Sequence, residues 1–261
     1  MSLRQRLRRR YKWIVATFCG LASAAITLAS DGTLGTDRFL FDLALASHHA
    51  LGINQRNEDN LVAVVAIDER TLEAPELRHI PRVFFGRAFA NMLNAVFDAG
   101  ALAVGLDVLF AYDSTRFDPK LGAPFRKALV RHGDRVVLGR SARATPAIPI
   151  LLAVPDDAVA FLELPRDPDG VTRRVPAAYP TVEGERVPTL AARLVERAGG
   201  TMPGPIRLTP AWHLETMPTY ALIDVLRCAE SPAEMVAAFA GKVILVGSTL
   251  PEEDRRLSPS R

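Results

Sequence analysis

The sequence predicts an α/β fold: a mainly parallel central sheet with flanking helices and a proline-rich insertion of short strands, preceded by one transmembrane helix. Three observations predict it. Runs of consecutive apolar residues, typical of strands buried on both faces, alternate with helical patterns of apolar residues. Many of the 19 prolines fall within residues 141–190, where they exclude long helices and central strands. An uncharged run at residues 13–30 follows a cationic N-terminus.

The composition is that of a folded protein whose basic excess lies at one end. Apolar residues make up 49% and charged residues 23% of the 261 residues, so a buried core can form. Six of the 32 basic residues lie within residues 1–12, which contain no acidic residue. The other 26 basic residues stand against 29 acidic ones, so residues 13–261 carry a net charge of −3. A body without a basic excess argues against nucleic-acid binding.

The first 30 residues predict a membrane anchor. Residues 13–30 contain no charged side chain, and as a helix they reach about 27 Å, close to the thickness of a bilayer core. The cations before them place the N-terminus in the cytosol by the positive-inside rule. We therefore expect a cytoplasmic arm (1–12), a transmembrane anchor (13–30) and an extracytoplasmic domain (31–261). A cleaved signal peptide and a buried core helix are the alternatives.

A juxtamembrane helix is predicted to begin near Thr36 and to end before Gly52. Phe39, Leu40 and Leu43 fall on one face of this helix at helical spacing. A helix continuous with a membrane span can pair with the same helix of a second subunit, so we expect a homodimer through this segment. The alternative is that its apolar stripe packs on the domain that follows.

The body of the chain alternates strands and helices. Strands are predicted at residues 61–67, 101–110, 134–140 and 242–247. Helices are predicted at residues 87–99, 124–131 and 234–240. A right-handed parallel β-α-β unit is predicted from three of these elements, at residues 61–67, 87–99 and 101–110, because they have the lengths that such a unit requires.

Residues 141–190 interrupt this alternation. Their prolines predict short edge or antiparallel strands, for example at residues 158–164 and 174–179. The D-P-D-G sequence at residues 167–170 predicts a turn, because proline presets φ and glycine accepts a positive φ.

Charged residues near the predicted strand ends form the candidate site, because ligands of parallel sheets bind beyond the carboxyl ends of the strands. Asp68 follows the first strand, Asp107 lies in the second and Asp113 follows it. Arg82 and Arg173 are the expected counter-charges, and the mixed signs favour a small polar or zwitterionic ligand. The alternative is that the aspartates cap helices or pair with arginines.

No catalytic or cofactor motif accompanies these residues. The sequence lacks the G-x-x-x-x-G-K, G-x-G-x-x-G and G-x-S-x-G patterns. Two cysteines, and five histidines without ligand spacing, argue against a disulfide framework and a structural zinc site. We therefore expect no cofactor, no metal and no catalysis. A metal-dependent hydrolase that uses an Asp68, Asp107 and Asp113 cluster at the sheet rim is the alternative.

Six segments, in this order, resemble the second type of CHASE domain (cyclases/histidine kinases associated sensory extracellular). They are V-V-A-I-D-E-R-T-L, I-P-R, D-A-G-A-L-A-V-G-L-D-V-L-F, D-P-D-G-V-T-R-R-V-P, P-T-L-A and G-K-V-I-L-V-G-S-T. The resemblance covers residues 36–257 and lies in the ordered combination of these segments.

This resemblance implies a bacterial sensor domain held in the inner membrane, with residues 31–261 in the periplasm or extracellular space. Such domains precede further membrane spans and a cytoplasmic cyclase, diguanylate cyclase or kinase, including the histidine kinases of two-component systems. Because this sequence does not contain those parts, we expect a fragment or a chain that works with a partner chain. We predict that it binds an unknown small-molecule signal and transmits it to an output module.

Overall fold

The computed structural model describes residues 60–181, 184–208 and 217–250, together with residues 41, 42 and 44. The chain divides into two compact units, one of residues 1–54 with 260–261 and one of residues 55–259. Phe41, Asp42 and Ala44 are helical, within the predicted juxtamembrane helix. The predicted membrane anchor at residues 13–30 lies outside the described residues. Within the described ranges, no helix has the length and apolar character needed to cross a membrane.

Ten strands are described in the larger unit. In chain order they are β1 Val62–Ile67, β2 Ala103–Leu106, β3 Val136–Arg140, β4 Val159–Phe161, β5 Arg174–Val175, β6 Ala178–Pro180, β7 Arg186–Pro188, β8 Ile206–Arg207, β9 Thr219–Ala221 and β10 Val243–Ser248.

Seven α-helices are described in the same unit. In chain order they are α1 Glu69–Glu73, α2 Gly86–Asp98, α3 Pro119–His132, α4 Ile148–Leu151, α5 Leu190–Arg197, α6 Leu222–Cys228 and α7 Pro232–Phe239. Short 3-10 turns at Arg82–Phe84, Ser114–Arg116 and Asp156–Ala158 connect some of these elements.

Six strands form one parallel sheet in the order β4-β3-β2-β10-β1-β9. The last strand in the sequence, β10, lies in the interior of this sheet, where Val246 is paired with Leu106 and Val65. The predicted mainly parallel sheet is therefore confirmed. The β1-α2-β2 unit is parallel as expected, but β10 lies between its two strands.

Both faces of the sheet are covered by helices, which explains the consecutive apolar residues of its strands. On one face, Met92, Leu93 and Val96 of α2 belong to the main core together with Val65 and Leu106 of the strands. Residues of α3, α6 and α7 extend the same core.

On the other face, Leu190 and Leu194 of α5 pack against Ala103 and Val137. Gly105 lets α5 approach closely, because a Cβ atom at this position would lie 2.6 Å from Cδ1 of Leu194. Successive residues of β2 and β3 thus contribute to the two cores in turn, as the alternation of strand side chains requires.

The proline-rich insertion contains short strands, as predicted. Strand β5 of the insertion pairs antiparallel with β8, which follows the insertion in the chain, and β6 and β7 form an antiparallel hairpin. The strand predicted at residues 158–164 is shorter, Val159–Phe161, and it is one of the two edge strands of the central parallel sheet.

Two boundaries differ from the prediction for local reasons. Helix α3 begins at Pro119 instead of near Pro124, because Asp118 caps it by accepting a hydrogen bond from the Lys120 amide at 2.8 Å. Strand β2 ends at Leu106 instead of continuing to residue 110, and residues 107–110 have no regular secondary structure.

Candidate functional site

A cavity of about 630 Å³ lies at the carboxyl edge of the parallel sheet. Its floor is formed where strands end: Ile67 and Ser248 are the last residues of β1 and β10, and Asp107 and Ser141 directly follow β2 and β3. This space is called the edge cavity below. Its position is that of ligand sites in open parallel sheets.

One wall of the edge cavity is aromatic. Phe89 of α2, Phe125 of α3 and Phe110, which follows β2, all line it. Their ring centroids are 5.5 Å apart for Phe89 and Phe110, and 4.8 Å apart for Phe110 and Phe125. Contacts among these three rings join α2, α3 and the segment that follows β2. The rings of this wall are therefore packed against each other without a ligand.

Polar side chains line the rest of the edge cavity. The charged ones are Arg82, Asp107, Asp113 and Glu163. Glu163 is half-buried and is held in place by the Ala142 amide, which donates a hydrogen bond to its Oε1 atom at 3.2 Å. This contact joins the loop after β4 to the loop after β3.

Ser114 is the most enclosed hydroxyl of this lining. Its residue exposure is 6%, and it belongs to the 3-10 turn that Asp113 caps. Asp113 accepts hydrogen bonds from the Thr115 amide at 3.0 Å and from the Thr115 hydroxyl. Within the described part of the chain, the Ser114 hydroxyl forms no hydrogen bond.

Three of the five predicted site residues come together at the edge cavity. Arg82, in the 3-10 turn before α2, and Asp107 are exposed residues of its lining, and Asp113 is buried in it. Asp113 also fulfils the structural alternative, because it caps a turn. That these residues contact a ligand remains a prediction.

Asp68 has a structural position outside the lining of the edge cavity. Its Oδ1 atom accepts a hydrogen bond from the Thr71 amide at 2.8 Å and another from the Thr71 hydroxyl at 2.7 Å. It is therefore the N-cap of α1, which is one of the alternatives that the sequence leaves open.

Arg173 is also absent from the lining of the edge cavity. Its guanidinium group lies 3.0 Å from Oδ2 of Asp167 and 2.8 Å from Oδ2 of Asp169. The D-P-D-G turn thus folds around Arg173, with Gly170 at a φ of 81°. The contacts of Arg173 therefore support a role in this turn and not in the edge cavity.

The metal-dependent alternative requires several carboxylates around one point. Among the described residues, no group of three or more His, Cys, Asp and Glu side chains is placed to hold a metal ion. The capping bonds of Asp68 and Asp113 turn these carboxylates toward their own helical turns.

Sequence reasoning missed Ser141, Glu163 and the aromatic wall. Ser141 directly follows a predicted strand, so the rule that selected Asp68 would also have found it. Glu163 was placed inside the strand predicted at residues 158–164, whereas β4 ends at Phe161. The phenylalanines have the pattern of ordinary core positions, and nothing in their spacing distinguishes a cavity wall from a filled core.

Comparison with known proteins identifies the family of this chain. A family model described as CHASE2 domain matches residues 18–260, nearly the whole chain. No curated protein and no solved structure gives a match. The match agrees with the resemblance of the ordered segments and covers the whole sheet that carries the edge cavity. The chain therefore belongs to the CHASE2 domain family, a family of extracellular sensory domains.

Proposed function

We propose that this chain is a membrane-anchored extracytoplasmic sensor that binds a small molecule in the edge cavity and transmits the signal to a cytoplasmic output module. The observation that supports it is the edge cavity itself. Its volume of about 630 Å³ lies within the usual range for small-molecule sites. Apolar walls with a few converging polar groups are also typical of such sites.

Binding without catalysis fits the chemistry of the edge cavity. Among its buried polar residues, Asp113 is engaged by Thr115, and no described histidine or cysteine lines the space. The family is one of sensory domains and not of known enzymes. We therefore propose recognition as the function of this site, with Arg82, Asp107 and Asp113 as ligand contacts.

The proposed anchor is the uncharged run at residues 13–30 in the inner membrane, with residues 31–261 in the periplasm or extracellular space. The six basic residues before this run support that orientation. A reporter that is active only outside the cytosol is expected to work when it is fused after Arg261. Activity of only a cytosolic reporter at that position would contradict the orientation.

We further propose a homodimer through the juxtamembrane helix at residues 36–51, which would couple two sensor domains to the membrane segments. The apolar stripe of that sequence supports it. Cross-linking of single cysteines introduced along this stripe in the membrane-inserted chain would detect the pairing by its helical periodicity.

A thermal-shift screen tests ligand binding in the edge cavity. The full chain, purified in detergent, is screened against a library of small metabolites, and a ligand should raise Tm in a saturable way. Leu109→Trp provides the cavity-blocking variant, because Leu109 lines the edge cavity and is 44% exposed. Leu152→Trp is the matched control, because Leu152 is 82% exposed and does not line it.

The proposal predicts that Leu109→Trp removes the shift and that Leu152→Trp retains it. A shift that survives in both variants would place the ligand elsewhere. The absence of any saturable shift across the library would contradict the sensor proposal itself.

A further inference from the structure

The charges that line the edge cavity are predominantly negative. Three carboxylates, Asp107, Asp113 and Glu163, line it together with one guanidinium group, that of Arg82. Arg82 and Asp107 are exposed, whereas Asp113 is buried and Glu163 is half-buried. The two less exposed charged residues of the lining are therefore both carboxylates.

Two polar side chains of the lining retain capacity for a hydrogen-bond donor. Glu163 uses Oε1 to accept from the Ala142 amide, and within the described residues its Oε2 atom has no partner. The hydroxyl of Ser114, a residue that is only 6% exposed, is likewise without a partner among them. Such acceptors, one half-buried and one buried, favour a ligand that brings N–H groups.

The aromatic wall is the second feature that bears on the chemistry of the ligand. Phe89, Phe110 and Phe125 form a contiguous set of rings, with the Phe89 and Phe110 rings at 82° to each other. The faces of aromatic rings attract cations, and the attraction grows when the cation is removed from water. The same rings also provide an apolar surface for the uncharged part of a ligand.

We propose that the ligand of the edge cavity is an organic monocation. Its primary ammonium group would be held by Glu163 and Ser114, with an aromatic or branched aliphatic body against the phenylalanine wall. This inference rests on the proposed function, because it assumes that the edge cavity binds a ligand. It differs from the sequence-based expectation of a polar or zwitterionic ligand, because the apolar wall was not visible in the sequence.

Three compounds of similar shape and different charge test this inference. They are 2-phenylethylamine as the cation, 2-phenylethanol as the neutral compound and phenylacetate as the anion. Each is titrated into the full chain at constant ionic strength, and Tm and calorimetric binding are measured. The cation is expected to bind saturably, and the neutral and anionic compounds should bind at least about tenfold more weakly, because they lack the charged donor.

Glu163→Gln tests whether the Glu163 carboxylate binds the ammonium group. Glutamine keeps an Oε1 atom for the Ala142 amide but removes the negative charge, so the fold should be retained. The affinity for 2-phenylethylamine is expected to fall about tenfold or more. Glu73→Gln, at an exposed carboxylate outside the edge cavity, is the matched control and should leave the affinity unchanged.

The outcomes separate this inference from the proposed function. Tighter binding of phenylacetate or 2-phenylethanol, abolished by Leu109→Trp, would overturn the cation assignment and leave the edge cavity as a ligand site. Binding of 2-phenylethylamine that survives both Glu163→Gln and Leu109→Trp would overturn the inference, because the amine would then bind elsewhere. Failure of 2-phenylethylamine, tyramine and isoamylamine to bind at millimolar concentration would also overturn it.

Discussion

At the end of β1, the side chain of Asp68 links three elements of the fold. It caps α1 through the Thr71 amide, and it also accepts from the fully buried Thr71 hydroxyl. The oxygen of that hydroxyl accepts a hydrogen bond from the Ile223 amide of α6 at 3.4 Å. The polar groups between β1, α1 and α6 are thus satisfied by one carboxylate and one hydroxyl.

Asp68→Ala is expected to lower the free energy of unfolding by about 1–2 kcal/mol, because it removes the cap and leaves the Thr71 hydroxyl with only the Ala66 carbonyl, at 3.5 Å, as an acceptor. Glu69→Ala, at the neighbouring exposed position, should change it by less than about 0.5 kcal/mol. Urea unfolding of both variants measures the difference. Equal effects of the two substitutions would show that the Asp68 cap does not contribute to the free energy of unfolding.

Arg173 provides a second residue-scale test, because its side chain is only 7% exposed whereas that of the adjacent Arg174 is 56% exposed. Arg173→Gln leaves Asp167 and Asp169 without their closest cation and should reduce stability by about 3–5 kcal/mol. Arg174→Gln removes only a longer ion pair, at 3.5 Å, whose cation is exposed, and it should cost less than about 1 kcal/mol. A small loss for Arg173→Gln would show that the fold does not depend on these ion pairs.

His132 gives the folded unit a pH dependence. Burial lowers the pKa of this histidine, and the charges of Arg131 and Arg135 lower it further. Its Nε2 atom lies 3.0 Å from Oδ1 of Asn94, and its ring stacks on Phe97 with centroids 4.6 Å apart. The neutral ring, which donates from Nε2 to Asn94, is therefore the form that fits the fold.

In the unfolded chain His132 has its ordinary pKa of about 6.5, whereas in the folded protein its pKa is lower. The stability contributed by neutral His132 is therefore lost as the pH falls below about 6.5. Urea unfolding at pH 8.0, 7.0, 6.0 and 5.5 is expected to show a stability difference between wild type and His132→Gln that shrinks toward low pH. A difference that stays constant or grows on acidification would contradict this account.

At the scale of elements, helix α3 packs closely against the 3-10 turn at Ser114–Arg116. Gly122 lies in the interior of α3, where alanine would ordinarily favour the helix by up to about 1 kcal/mol. A Cβ atom at this position would lie 2.5 Å from Cγ2 of Thr115 and 2.6 Å from its backbone nitrogen. The glycine is required by packing and not by its own backbone conformation.

Gly122→Ala is therefore expected to destabilise the protein by about 1–3 kcal/mol, because it overpacks this contact. Ala123→Gly, at the exposed neighbouring position of α3, measures the helix preference alone and should cost about 1 kcal/mol or less. Thermal and urea unfolding compare the two variants. Stabilisation by Gly122→Ala would mean that α3 and the turn are not in close contact.

The central elements could be predicted because each buried strand is a run of consecutive apolar residues bounded by turn residues. Strand β9 and helix α6 were not predicted. Three residues, Thr219–Ala221, carry no periodic signal, and their strand forms only by pairing with β1. The interior position of β10 likewise results from long-range pairing that no local pattern encodes.

The site could be predicted only in part, for a related reason. A position near a strand end was enough to select Asp68, Asp107 and Asp113. Such a position does not determine which groups the carboxylate contacts. Asp68 folds back onto the Thr71 amide of its own helix, whereas Asp107 lines the edge cavity. That choice depends on the following helix and on neighbouring loops, which are brought together only by the complete sheet.

At the scale of the whole molecule, the edge cavity is built from residues that are far apart in the sequence. Ile67 and Ser248 face it from paired strands that are separated by most of the chain. A ligand that contacts this edge would therefore contact the ends of strands on both sides of β10. Binding there should stabilise the larger unit as one body.

Hydrogen–deuterium exchange of the full chain, with and without the compound that raises Tm most in the library screen, tests the central claim most directly. At short labelling times local openings dominate exchange, so protection reports the contact region. The account predicts slowed exchange in peptides covering residues 82–89, 107–114 and 141–144, with little change in the insertion at residues 174–188. Protection confined to the insertion, with unchanged exchange around the edge cavity, would contradict it.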